Sequence, residues 1–146
     1  MALNGLENSD TEKLVTQFIA MTLPKSQWTH EAHLRVGLWH VLNDGADEAL
    51  LLLRNRIRAY NESVGTPNTD TSGYHETITH FYLLLIARFL SGVDHALPLD
   101  QMADQLISQY GNRKLLLKYY SRERLFSATA RQQWIDPDLI RLPEYL

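Results

Sequence analysis

The 146-residue sequence predicts an all-α fold, a single-domain bundle of five to seven helices. Apolar side chains recur every three or four residues along most of the chain, which is the spacing of one helix face. Glycine, proline and short polar runs separate these stretches, and none of them alternates as a strand does. One domain is also what this length favours.

Start and stop signals define the first three predicted helices. Ser9 and Glu12 have the spacing of a capping box, so we expect a helix over residues 10–22. Thr29 suits the N-cap of a second helix, residues 29–43, because Asp44-Gly45 then ends it. A third helix is expected over 46–63, with Arg54 and Arg56 largely facing water.

The second predicted helix is apolar nearly all round, which indicates a central position in the bundle. Gly37 lies in its interior, where glycine costs roughly 1 kcal/mol relative to alanine. Close approach of another helix or of a ligand is one reason to tolerate that cost.

The remaining helices are expected over residues 74–91, 100–110, 114–120 and 123–134, with Ser121 as a cap between the last two. A polar loop, residues 65–73, precedes the first of them. Asp136-Pro137 and Leu142-Pro143 predict an extended tail.

Composition excludes several classes of function. Cysteine is absent, so any metal would need histidine, carboxylate or water ligands. Residues 1–110 have a charge balance of −6 and residues 111–146 one of +3, which is too small an excess to indicate nucleic-acid binding. The start, residues 1–7, lacks the pattern of a signal peptide, and the longest apolar run is too short to span a membrane. We therefore expect a cytoplasmic protein with a small-molecule ligand, no nucleic-acid partner and no membrane association, of unspecified oligomeric state.

Histidines supply the candidate site. His30 and His33 lie about 60° apart on one side of the second predicted helix. His75 falls on the core face of the helix predicted over 74–91. If the two helices pack together, these three imidazoles converge as ligands for a divalent transition metal ion, Zn, Fe, Ni or Mn. The alternative is that each histidine only bonds within the core.

Further residues are assigned around this metal site. Glu76 and Thr79 are the catalytic candidates; alternatively, Glu76 is an exposed carboxylate paired with His80, and threonines in this helix bond the carbonyl four residues earlier. Four residues are the ligand-binding candidates. Asn68 and Thr69 lie in the polar loop, Tyr74 precedes His75, and Arg131 lies in the C-terminal part of the chain. For Asn68 a turn role, and for Arg131 a surface position, are the alternatives.

Three strings in the chain resemble a family of small, uncharacterised helical proteins from bacteria. They are Trp-Thr-His-Glu-Ala-His-Leu at 28–34, Gly-Tyr-His-Glu-Thr at 73–77, and Leu-Phe-Ser…Ala-Arg…Trp…Pro-Asp-Leu within 125–139. The resemblance covers residues 28–142. It supports the choice of His30, His33 and His75 and implies no particular reaction.

Two functions follow from these patterns. The first is a small metal-dependent enzyme that acts on a small polar molecule between the helices predicted over 29–43 and 74–91. The second is a non-catalytic helical module that binds a ligand or a metal. No phosphate-binding loop or nucleophile elbow is present, and His30-Glu31-Ala32-His33 is one residue short of the zinc-protease motif HExxH.

Overall fold

The computed structural model describes residues 9–142, and these form a bundle of six α-helices without a strand. The helices are α1 (Asp10–Ile19), α2 (His30–Ser63), α3 (Glu76–Gly92), α4 (Leu99–Tyr110), α5 (Arg122–Leu125) and α6 (Ala128–Gln132). The predicted all-α bundle is confirmed. The predictions on residues 1–7 and at Pro143 lie outside the described residues. No helix within 9–142 is both long enough and apolar enough to cross a membrane.

Helices α1 and α2 begin as the sequence predicted. The Ser9 hydroxyl accepts a hydrogen bond from the backbone N–H of Glu12, and the Glu12 carboxylate accepts one from the backbone N–H of Ser9. The Thr29 hydroxyl accepts from the backbone N–H of Ala32. Both caps satisfy N–H groups that have no partner inside the helix.

Helix α2 has two arms, 30–44 and 46–63, joined at a kink at Gly45. The backbone of Gly45 has φ 80° and ψ 162°, a conformation open almost only to glycine. The predicted break at Asp44-Gly45 is therefore confirmed, although the chain bends there rather than forming a loop. Across the kink, the Arg56 guanidinium donates to Nε2 of His40, and His40 Nδ1–H donates to the Val36 carbonyl.

Helices α2 and α3 pack against each other in the main core, so the condition that the candidate site placed on 29–43 and 74–91 is met. Leu38 and Tyr60 of α2 and Ile86 of α3 are almost fully buried there. A second apolar cluster attaches the C-terminal segments to α3; its buried members are Phe81, Leu85, Leu116, Tyr120 and Leu125.

The C-terminal segments are less helical than predicted. Residues 115–118 form only a 3₁₀ turn, and the helix expected over 123–134 is divided into α5 and α6. Ser121 caps α5, as predicted, through the backbone N–H of Arg124. Ser127 divides the expected helix because its hydroxyl accepts from the backbone N–H of Ala130 and so starts a new helix.

Candidate functional site

A cavity of about 400 Å³ lies between the two arms of α2 and helix α3. Its walls are mainly aliphatic: α2 contributes Leu34, Val36, Leu53 and Ile57, and α3 contributes Ile78, Leu83 and Ile86. The polar or aromatic groups that line it are Trp28, Thr29, His30, His33, Thr79, Tyr82 and Arg113. The cavity thus has the composition of a small-molecule site, apolar with a few polar groups.

Gly37 allows α2 and α3 to approach each other beside the cavity. A Cβ added at this position would lie 2.9 Å from Cδ1 of Ile86. The close approach proposed for this glycine from the sequence is therefore present, and the neighbour is a side chain of α3. The glycine also lines the cavity, so a larger side chain here would occupy part of it.

His30 brings a polar atom without a partner into this apolar setting. Its Nε2 is buried and has no hydrogen-bond partner among residues 9–142. Its ring lies edge-on to Tyr82, with 5.5 Å between the ring centroids. Burial, and after it the positive charge of Arg113, lowers the pKa of His30. The negative charge of Glu31 opposes this shift but does not cancel it. The imidazole is therefore neutral near pH 7 and can offer either a donor or an acceptor to a ligand.

His33 lies on the same side of α2, as predicted, but its ring is hydrogen-bonded to the backbone at the start of the same helix. Its Nδ1–H donates to the Thr29 carbonyl over 2.7 Å, which leaves Nε2 as the acceptor in the neutral ring. The ring stacks on Trp28, with 3.7 Å between the centroids. The residue as a whole is exposed, but loss of hydration where the ring packs against its neighbours lowers the pKa of His33 to about 4. His33 is thus a neutral, positioned imidazole at the edge of the cavity.

Arg113 was not identified from the sequence. It follows α4 in an exposed turn and makes no hydrogen bond or ion pair with the described part of the chain. Among residues 9–142 it is the only lining residue with a permanent charge, and no acidic side chain of that range lines the cavity. Only the tertiary fold brings this turn to the start of α2, so no local sequence signal pointed to it.

His75 does not join His30 and His33, which corrects the predicted metal site. It is buried at the N-cap of α3, where Nδ1 accepts from the backbone N–H of Ile78 and Nε2–H donates to the Leu125 carbonyl over 2.7 Å. Both ring nitrogens are therefore in use, and the residue is not part of the cavity wall. No three histidine or acidic side chains within residues 9–142 lie close enough to hold one metal ion. The expectation of a divalent metal ion itself stays a prediction.

Glu76 is neither free nor exposed. Its carboxylate accepts two hydrogen bonds from Arg54, of 2.9 and 2.6 Å, and one from the Tyr74 hydroxyl. Burial acts to raise the pKa of Glu76, but the hydrogen bonds from Arg54 and Tyr74 outweigh it and hold the pKa below its usual value. The ion pair ties the C-terminal arm of α2 to the start of α3. Arg54, expected to face water, keeps 38% of its side chain exposed while its guanidinium pairs with Glu76.

Thr79 lines the cavity, but its hydroxyl donates to the carbonyl of His75, four residues earlier. This is the alternative that the sequence left open for threonines in this helix. Arg56, also expected to face water, is instead the donor to His40 across the kink.

The remaining candidates hold the loop before α3 together. Asn68 accepts from the Asn61 side chain and from the backbone N–H of Tyr74, and it donates to the Arg58 carbonyl. The Thr69 hydroxyl accepts from the backbone N–H of Thr71. Arg131 of α6 donates to the carbonyls of Gly73 and Tyr74. None of Asn68, Thr69, Tyr74 and Arg131 lines the cavity, so their hydrogen bonds stabilise the loop.

Comparison of this chain with protein-family models, with curated proteins and with solved structures finds no significant match. The resemblance based on the histidine strings therefore stays a prediction. The function has to be argued from the cavity and the groups around it.

Proposed function

We propose that this protein binds a small, largely apolar molecule in the cavity between α2 and α3. The observation that carries the proposal is an aliphatic cavity of about 400 Å³ with the buried, unpartnered Nε2 of His30 at its wall. Small-molecule sites commonly occupy about 300–1,000 Å³ and combine apolar walls with few polar groups. A buried polar atom without a partner costs about 1–3 kcal/mol, so a ligand that bonds to His30 would gain from satisfying it.

Binding is better supported than the metal-dependent enzyme. The enzyme hypothesis relied on three converging histidines and on Glu76 as a catalytic candidate beside them. His75 and Glu76 instead make hydrogen bonds that stabilise α3. What lies at the cavity is a pair of neutral imidazoles and one arginine among aliphatic side chains, which is a recognition surface.

The experiment is a titration with N-phenyl-1-naphthylamine, a neutral dye that fluoresces in apolar surroundings. We expect saturable binding with one dye per chain. Gly37→Leu places a larger side chain at the cavity wall, where even a Cβ meets Ile86, and is expected to weaken binding about tenfold or more. Gly92→Leu is the matched control, because a Cβ at Gly92 meets no atom within 4 Å.

Circular dichroism of each variant separates a blocked cavity from an unfolded chain. If Gly37→Leu does not fold, Gly37→Ala replaces it, since one methyl displaces only the flexible end of Ile86 and should give a smaller loss of affinity. The proposal fails if the dye does not bind the native chain, or if a folded Gly37→Leu variant binds it as well as the native chain does.

A further inference from the structure

The permanent charge that the described residues contribute to the cavity lining is positive. Within the part of the chain that the structure describes, Arg113 is the only lining side chain with a permanent charge, and no acidic residue joins the lining. Glu31 is near enough to act on His30, but it is exposed and is not part of the wall. A cationic ligand would therefore find no counterion in the cavity, whereas an anion would find one.

Arg113 is also available. Other arginines have partners: Arg35 pairs with Asp104, and Arg54 with Glu76. Arg113 has no hydrogen bond or ion pair with any residue from 9 to 142. Its planar guanidinium can bind both oxygens of a carboxylate in one plane, which a lysine cannot do.

His30 and Arg113 line the same cavity, and the arginine charge acts on the imidazole ring. Thr29 and His30 also bring the first turn of α2 to the cavity, and a helix N-terminus carries partial positive charge. A carboxylate at this position would face a guanidinium and an imidazole nitrogen, while its tail would extend along the aliphatic wall formed by both helices.

We propose that the ligand is an organic acid with an apolar tail, whose carboxylate is bound by Arg113 and by Nε2 of His30. This inference rests on the proposed binding function and adds the chemical class of the ligand. A cavity that recognised only apolar surface would prefer a neutral molecule to its anion, because the anion loses more hydration on entry. A cavity with a built-in counterion reverses that preference.

The test compares octanoate with 1-octanol, two eight-carbon chains that differ in the head group, as competitors for the bound dye. We expect octanoate to displace the dye at about tenfold lower concentration than octanol from the native chain. Arg113→Gln is expected to remove this preference by weakening the binding of octanoate far more than that of octanol. Lys114→Gln is the matched control, since it removes an exposed positive charge from the next residue, which does not line the cavity.

His30→Phe keeps an aromatic ring but removes the ring nitrogens, so it should weaken octanoate selectively. If octanol displaces the dye and octanoate does so no better, the carboxylate inference is wrong and the binding function stands. If the preference survives in Arg113→Gln, Arg113 is not the counterion and the inference is wrong. If neither molecule displaces the dye, the inference fails; if the dye itself does not bind, the proposed function fails with it.

Discussion

Replacing His75 should reduce the stability of the fold without affecting the cavity. His75→Ala removes the cap on Ile78 N–H, worth about 1 kcal/mol, and the bond to the Leu125 carbonyl, worth about 1 kcal/mol. Leu125 is only 2% exposed, so its carbonyl is left buried without that donor. We therefore expect the free energy of unfolding to fall by about 2–3 kcal/mol in total.

His75→Asn divides the two contributions. Asparagine is a good N-cap, so it should keep the hydrogen bond to the backbone N–H of Ile78. Its shorter side chain should lose the hydrogen bond to the Leu125 carbonyl, at a cost of about 1 kcal/mol. Urea unfolding followed by circular dichroism measures both variants. With a slope of about 2 kcal/mol per molar urea, the midpoint should fall by about 1–1.5 M for alanine and about 0.5 M for asparagine.

Two results would refute this reasoning. An alanine variant with native stability would show that the two hydrogen bonds of His75 contribute nothing. A stable alanine variant that no longer binds the dye would return His75 to the functional site, as the sequence predicted. Dye affinity equal to that of the native chain, together with the lowered urea midpoint, is the expected outcome.

Three further changes test the framework around the cavity. Gly45→Ala should cost about 1–3 kcal/mol because φ is 80°, whereas Gly92→Ala should be neutral or stabilising; thermal unfolding compares the two. Arg54→Ala leaves the buried carboxylate of Glu76 without its ion-pair partner and should lower the urea midpoint more than the double variant with Glu76→Ala does. Burial lowers the pKa of His40 from 6.5, so the unfolded chain takes up more protons in weak acid. The contribution of the neutral His40 to stability should be fully present above about pH 6.5 and be lost as the pH falls below that value. Urea midpoints measured across that pH range test this.

The bundle was predictable because its signals are local. The caps at Ser9 and Thr29, and the glycine at residue 45, act through hydrogen bonds and backbone angles within a few residues. The helix predicted over 123–134 was wrong because Ser127 can either continue a helix or cap a new one. Periodicity of apolar residues does not distinguish these two states.

The candidate site was only partly predictable, since one residue type has several roles. His30, His33 and His75 have the same local sequence context, each at or near a helix start. Only tertiary contacts distinguish them: His75 meets the Leu125 carbonyl, fifty residues along the chain, and becomes a cap. His30 lines the cavity among aliphatic side chains, and its Nε2 has no partner among the described residues.

For the same reason, the local sequence indicated a ligand site in the polar loop and gave no signal for the turn that carries Arg113. Residues 65–73 are rich in groups that bind ligands, but those groups bind the loop's own backbone, as Asn68 does with the N–H of Tyr74. The turn that carries Arg113 has no such internal bonds for its guanidinium, and that lack of a partner makes the side chain available to a ligand. Unsatisfied hydrogen-bonding capacity at a cavity, rather than density of polar residues in the sequence, is therefore the feature on which the proposed site rests.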